Sequence, residues 1–193
     1  MSPRVVSSAA NVLTVSRLLA APAFSWCVWQ AGHGRPTAGL VAASLFAFAV
    51  WSDVIDGRWA RRVREDSSYG RWLDHGADIA FLTTGFGTYV VMGVAPWWVP
   101  ASILFAFSAY VLRTCRGQPI QVRATLADRI GHWGGVGNYV LLGVLVANFS
   151  LALGWLPTSV VHMLFVAVPV YSTAPLWMMG WVGRSSVAQG PSR

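Results

Sequence analysis

The chain has 193 residues, of which 55% are hydrophobic and only 11% charged, a composition that argues against a soluble domain. Its formal net charge of +7 comes from 14 basic residues, all arginine, which are spread along the chain and cluster at the ends of apolar segments. This distribution argues against nucleic acid as a partner. Cys27 and Cys115 lie in or beside apolar segments without metal-type spacing, so we expect buried free thiols and no disulfide.

Apolar segments long enough to cross a bilayer alternate with short polar turns along the whole chain. They predict an all-α, polytopic integral membrane protein with six transmembrane helices, whose partner is the lipid bilayer. We expect one domain over residues 1–193, with mobile tails at residues 1–10 and 183–193. The predicted spans cover about residues 18–31, 36–62, 68–93, 101–112, 130–153 and 158–181, and the fourth begins in the tryptophan-containing turn at residues 94–100.

Three polar residues precede the first span at helical spacing: Asn11, Thr14 and Arg17. They interrupt any apolar core of a signal peptide, so we expect no cleaved leader. One interpretation is a helix N-cap followed by an arginine that extends to the membrane surface. The other is a shared helical face that meets a ligand at the interface.

Residues 53–78 contain six of the seven acidic residues, and four of the six, Asp53, Asp56, Asp74 and Asp78, adjoin or lie within apolar segments, whereas Glu65 and Asp66 fall in the connection between them. The flanking stretches 38–51 and 79–110 carry no charge at all. Carboxylates joined to such apolar runs are costly in a membrane, and they indicate a functional site.

The spacing of these aspartates indicates a metal site. Asp53 and Asp56 are three residues apart, and Asp74 and Asp78 are four apart, so each pair lies on one face of a helix. Two helices that meet on these faces bring four carboxylates together, and this charge needs neutralising. Hard divalent cations take oxygen ligands, so we predict two Mg²⁺ or Mn²⁺ ions per site.

Small residues and one arginine accompany the aspartates on these helices. Gly57, Ala60 and Gly70 would let a ligand approach the backbone closely. Arg61 offers a planar fork for a phosphate group.

The pattern Asp53-x2-Asp56-Gly57-x2-Ala60-Arg61-x8-Gly70-x3-Asp74-x3-Asp78 resembles, at every position, that of the CDP-alcohol phosphotransferase (CDP-alcohol phosphatidyltransferase) family, class I. The hydropathy layout is similar over most of the chain. The resemblance implies that a CDP-linked alcohol donates its phosphoalcohol group to a second alcohol and releases CMP. It also implies a homodimer.

The resemblance further implies a role for each motif residue. Asp53, Asp56 and Asp74 would be metal ligands, and Asp78 would be the catalytic base that also touches a metal. The groups that would hold the cytidine, the diphosphate or another part of the nucleotide lipid are Thr14, Asp53, Asp56, Gly57, Ala60, Arg61, Ser67 and Gly70.

The motif does not by itself identify the donor and the acceptor of the reaction. A site at bilayer depth favours a lipid donor, and we expect CDP-diacylglycerol. Four arginines, Arg113, Arg116, Arg123 and Arg129, give a basic patch near the expected mouth of the site. They are either a pocket for a phosphorylated polyol, such as glycerol 3-phosphate or inositol phosphate, or topology determinants that contact anionic lipids.

Arginine placement predicts the orientation. All arginines except Arg35 fall on one side of the predicted spans, which is therefore cytoplasmic. The active site and both termini would then lie on the cytoplasmic side of the plasma membrane.

Three other functions remain open. A small transporter or ion carrier explains the carboxylates but not the small residues and Arg61 at their spacings. A transferase could instead use a CDP-linked head group and a lipid acceptor. A non-catalytic lipid-binding member of the family would not need the complete aspartate set.

Overall fold

A computed structural model describes the backbone of residues 3–63, 68–115 and 126–187, and the side chains of residues 12, 14–55, 75–109, 111–112 and 135–174. Over these ranges the chain is helical and has no strand, which confirms the all-α prediction. The helices are α1 (Pro3–Gly32), α2 (Pro36–Val63), α3 (Ser68–Val91), α4 (Trp98–Cys115), α5 (Leu126–Leu145) and α6 (Thr158–Val187).

The outer helices are longer than predicted. Residues 3–10 and 183–187, which we expected in mobile tails, are helical, as parts of α1 and α6. Pro3 suits the first position of a helix because that position needs no amide hydrogen. No glycine interrupts α1 before its final residue, Gly32. The sequence therefore offers no stop signal between Pro3 and the apolar segment.

Helix α1 lies at the centre of the packing. It packs against α2 and α3, while α5 packs against α6, and α4 contacts both α3 and α6. Side chains with no exposed surface, including Phe24, Val28, Phe81 and Leu142, form the core between these helices. Van der Waals contacts among these closely packed side chains hold the helices against one another.

The end of the bundle formed by the α1–α2 and α3–α4 turns is closed by tight contacts. Gly34 closes the α1–α2 turn with a φ of 83°, a conformation that glycine adopts without a steric penalty. A Cβ atom on Gly39 would clash with the backbone carbonyl oxygen of Ser150. Helix α2 and the end of the α5 segment are therefore in direct backbone contact.

A π-helical turn, Val146–Ser150, continues α5 where the sequence predicted an uninterrupted span to Leu153. The Ser150 hydroxyl shares a 2.7 Å hydrogen bond with the Tyr89 hydroxyl. The Asn148 side chain exchanges two hydrogen bonds with the backbone of Leu156, at 3.1 and 3.3 Å. These long-range partners stabilise a turn that local sequence does not specify.

Within the described residues, one helical stretch, 36–55, is long and apolar enough to span a membrane by length and composition. Shorter apolar helical stretches cover residues 98–109, 135–150 and 158–174.

Candidate active site

Arg17 of α1 is the central residue of the site. Its side chain has no exposed surface, and its Nη1 atom donates a hydrogen bond to Oδ1 of Asp78 in α3. The same Nη1 atom lies 3.6 Å from Oδ1 of Asp53 in α2. Its Nε atom donates to the Ser52 hydroxyl at 3.2 Å, and this hydroxyl donates to the Ala49 carbonyl at 2.9 Å. One guanidinium thus connects three helices.

The first interpretation of the Asn11–Arg17 segment is therefore wrong. An arginine that extends to the membrane surface would be exposed, whereas Arg17 is fully buried. Helix α1 also begins at Pro3, too early for an N-cap near Asn11. Thr14, one turn before Arg17, is only 5% exposed, so the two residues share the inward face of α1. The carboxylates of Asp53 and Asp78 compensate the charge of Arg17, which water would stabilise at a surface.

Tyr139 of α5 adds a second donor to Asp78. Its hydroxyl donates a 2.7 Å hydrogen bond to Oδ1, the same oxygen that accepts from Arg17. Oδ2 accepts no hydrogen bond from the side chains that the structure describes. The Asp78 side chain is 19% exposed and that of Asp53 is 42% exposed, so both carboxylates can be reached from outside the bundle.

An aromatic layer supports Tyr139. Its ring centroid lies 6.5 Å from those of Phe46 and Phe81, which belong to α2 and α3. Phe24 of α1 stacks on Phe81 with a centroid distance of 4.9 Å. Four helices thus contribute one ring each to a cluster that packs beside the polar site.

The other predicted site residues are described by their backbone or lie outside the described ranges. Asp56, Gly57, Ala60 and Arg61 belong to α2, Gly70 and Asp74 to α3, Arg113 to α4 and Arg129 to α5. Ser67, Arg116 and Arg123 lie outside the described residues. The structure therefore brings Asp53 and Asp78 together beside α1, the helix that carries Thr14. The roles of the remaining residues stay predictions.

The residues present fit a hard divalent cation by their chemistry. Asp53 and Asp78 converge from two helices on one nitrogen of Arg17, and carboxylate oxygens are the ligands that Mg²⁺ prefers. Helical backbone places Asp56 on the face of Asp53 and Asp74 on the face of Asp78. Among side chains that the structure describes, no three potential metal-ligating residues are grouped.

Sequence reasoning missed Tyr139, and it placed Arg17 on a possible ligand-facing side of α1 without assigning it to Asp78. Arg17 carried a usable signal, because it is an isolated charge at the start of an apolar segment. Tyr139 carried none, since an aromatic residue in an apolar helix is ordinarily a core residue. Both lie 61 positions from Asp78, beyond any local pattern.

Several curated proteins are similar to this chain. A probable phosphatidylglycerophosphate synthase of Mycobacterium tuberculosis is 31% identical over 99 residues, which cover 51% of this chain and 47% of that protein. A cardiolipin synthase (CMP-forming) of Streptomyces coelicolor is 31% identical over 94 residues, covering 49% of this chain and 44% of that protein.

A third relative matches more of the chain. A CDP-diacylglycerol–glycerol-3-phosphate 3-phosphatidyltransferase of Cereibacter sphaeroides is 30% identical over 149 residues, covering 73% of this chain and 64% of that protein. The matched regions thus span less than two thirds of the length of each of these relatives. The sequence profile of CDP-alcohol phosphatidyltransferases matches residues 7–182, nearly the whole chain. The chain therefore belongs to the CDP-alcohol phosphatidyltransferase family.

Proposed function

We propose that the protein transfers the phosphatidyl group of CDP-diacylglycerol to an alcohol acceptor and releases CMP. The observation that carries this proposal is the convergence of Asp53 and Asp78 on buried Arg17, inside a chain that belongs to this family. An isolated structural carboxylate would need only one partner. Here two carboxylates from different helices of the motif lie beside the same nitrogen of Arg17 and remain partly exposed.

The reaction requires one proton transfer and one exchange of phosphorus–oxygen bonds. Asp78 takes the proton of the acceptor hydroxyl. The acceptor oxygen forms a bond to the phosphorus next to the diacylglycerol, and the bond from that phosphorus to the bridging diphosphate oxygen breaks. CMP leaves with the electron pair of that bond. General-base catalysis of this kind is worth about 10²–10⁴ in rate.

Asp53, Asp56 and Asp74, together with Asp78, would hold two Mg²⁺ or Mn²⁺ ions. Bound there, the ions would neutralise the diphosphate and the charge that develops on departing CMP. The chain's own groups complete the binding of the nucleotide: Gly57, Ala60, Gly70 and Thr14 would line the cytidine diphosphate, and Arg61 and Ser67 would contact its phosphates.

We further propose a multi-pass protein of the plasma membrane with six spans, cytoplasmic termini and a cytoplasmic active site. Membership of a membrane-associated family and the positions of the six helices support the spans. The arginines support the orientation. The homodimer remains a proposal that rests on the family alone.

A phosphorylated polyol is the acceptor we propose, with glycerol 3-phosphate first and inositol phosphate second. Two relatives are named for phosphatidylglycerophosphate or glycerol-3-phosphate chemistry, which favours the first. An anionic acceptor also suits the basic patch of Arg113, Arg116, Arg123 and Arg129.

The direct test is CMP release by purified protein in detergent with CDP-diacylglycerol and Mg²⁺. Glycerol 3-phosphate, inositol phosphate, free inositol, serine and phosphatidylglycerol are supplied as separate acceptors. We expect release that requires glycerol 3-phosphate and stops when EDTA removes the metal. Absence of both CMP release and nucleotide binding would instead favour the transporter function.

Replacement of the proposed base gives the first mutational prediction. Asp78→Asn keeps the size of the side chain but removes its capacity to accept a proton, so we expect CMP release to fall at least about 10²-fold. Binding of the CDP-lipid should persist, measured by isothermal titration. Asp66→Asn, which removes a carboxylate at a position that the motif leaves unspecified, is the matched control. Turnover near the wild-type rate in Asp78→Asn would remove Asp78 from the role of base.

A further inference from the structure

We propose that Tyr139 and Arg17 are positioning residues that fix Oδ1 of Asp78 and so direct Oδ2 toward the hydroxyl of the acceptor. The inference rests on the proposed function, in which Asp78 is the base. Neither residue belongs to the aspartate pattern that indicates the family. Both act through Asp78 rather than on the substrate.

The distribution of hydrogen bonds on Asp78 carries the inference. Oδ1 accepts from Tyr139 at 2.7 Å and from Nη1 of Arg17, whereas Oδ2 accepts from no side chain in the described part of the chain. A carboxylate held at one oxygen by two donors cannot rotate about its terminal bond without breaking both hydrogen bonds. The second oxygen is then presented in one orientation, which is the requirement for a proton transfer of defined geometry.

The two donors are themselves held by packing and by a hydrogen bond. The Tyr139 ring packs between Phe46 and Phe81, so its hydroxyl approaches Asp78 from one direction. Arg17 is fully buried, and Ser52 accepts from its Nε at 3.2 Å. Each donor comes from a different helix, α5 or α1, and neither helix is α3, which bears Asp78. The carboxylate is thus held from two sides independently.

A merely structural role for Tyr139 makes a different prediction. Loss of a structural hydrogen bond lowers stability and the amount of folded enzyme but leaves the turnover of each folded molecule unchanged. Loss of a positioning hydrogen bond lowers kcat while KM for CDP-diacylglycerol stays constant. The split between kcat and KM therefore separates the two roles.

The chain contains a matched pair of buried tyrosines for this test. Tyr139→Phe removes the hydroxyl that bonds Asp78, and Tyr89→Phe removes a hydroxyl that bonds Ser150, also at 2.7 Å, at the other end of the bundle. We expect Tyr139→Phe to lower kcat about 10- to 100-fold, the loss typical of a hydrogen bond to a charged group, with KM within about two-fold. Tyr89→Phe should keep kcat within about two-fold of wild type.

Arg17 is tested by its two conservative replacements. Arg17→Lys keeps the positive charge and should retain more of kcat than Arg17→Gln, which keeps only a hydrogen-bond donor. Equal kcat values, normalised to folded protein, would overturn the role of Arg17. A wild-type kcat in Tyr139→Phe would overturn the role of Tyr139 while leaving the proposed function intact.

A stability cycle keeps the inference distinct from the proposed function. Tyr139→Phe, Asp78→Ala and the double variant are unfolded in detergent, and we expect the two substitutions to be non-additive because each removes one partner of the same hydrogen bond. Additive losses would overturn the contact itself. If the losses are non-additive but the wild-type protein releases no CMP with any acceptor, the contact stands and the proposed function is overturned. The proposed role of Asp78 Oδ2 is then overturned as well.

Discussion

At the scale of single residues, the buried charge of Arg17 is the feature with the largest energetic consequence. A fully buried guanidinium is tolerated only when carboxylates compensate it, and here Asp53 and Asp78 both do so. The compensation is mutual, because Arg17 also reduces the repulsion between the two carboxylates. Stability and the proposed chemistry therefore depend on the same three side chains.

Arg17→Gln should lower the free energy of unfolding by about 3 kcal/mol, the low end of the range for breaking a buried ion pair. The low end applies because the Asp53 side chain is 42% exposed and partly hydrated. Arg35→Gln, at the exposed α1–α2 turn, is the control and should change stability by less than about 0.5 kcal/mol. Unfolding with SDS in mixed micelles measures both. Equal stability of the two variants would contradict the compensated ion pair.

The aspartates were predictable and their partners were not, for a physical reason. Asp53 and Asp78 stand out in the sequence because a carboxylate beside or within an apolar segment is costly and therefore indicates a function. Tyr139 satisfies its hydroxyl with a residue 61 positions away, and an aromatic residue in an apolar helix raises no such question. Only the packing of α5 on α3 shows that the hydroxyl faces Asp78.

At the scale of elements, the existence and the order of the helices were predictable from the sequence, whereas some of their ends were not. Apolar runs separated by Gly, Pro and Arg punctuation define α2 and α3 nearly to the residue. The start of α1 at Pro3 and the π-helical turn were not predicted. The polar residues at the start of α1 adopt helix because no helix-breaking residue lies among them. The π-helical turn depends on residues distant in sequence, such as Tyr89.

The contact of α2 with the π-helical turn gives a prediction at this scale. Gly39→Ala places a methyl group against the backbone carbonyl of Ser150, and backbone cannot move as a side-chain tip can. We expect a loss of about 1–3 kcal/mol in unfolding free energy from this overpacking. Gly87→Ala in α3, where a Cβ meets no atom within 4 Å, is the control and should gain about 0.5–1 kcal/mol.

The same SDS titration compares the two glycine variants under identical conditions. A stable Gly39→Ala protein would mean that α2 and the turn are separated by more than the structure indicates.

At the scale of the whole molecule, contacts at two levels define how the helices run. Arg17, Asp53, Asp78 and Tyr139 meet at one level, whereas Gly39, Tyr89 and Ser150 meet at the other. Helix α1 runs from the level of Arg17 toward the level of Gly39, α2 runs back to the level of Asp53, and α3 runs from Asp78 to the level of Tyr89. Helices α1, α2 and α3 therefore run in alternating directions, as consecutive membrane spans would.

Cysteine accessibility tests that topology. In a background of Cys27→Ala and Cys115→Ala, a membrane-impermeant maleimide should label His33→Cys and Leu153→Cys in intact spheroplasts, because both positions are exposed in turns on the predicted outer side. Asp66→Cys, in the connection predicted to be cytoplasmic, should be labelled only after permeabilisation. Labelling of all three from outside would contradict the orientation.

The ion pair between Arg17 and the two aspartates also constrains how the protein is made. Arg17 is synthesised first and Asp78 last among these three, so the ribosome releases a helix with an uncompensated positive charge before its partners exist. Helix α1 can reach its buried position at low cost only after α2 and α3 have followed. In the proposed topology, these three helices would therefore enter the bilayer as one unit. The proposed base then gains its second donor only when α5, with Tyr139, has been translated.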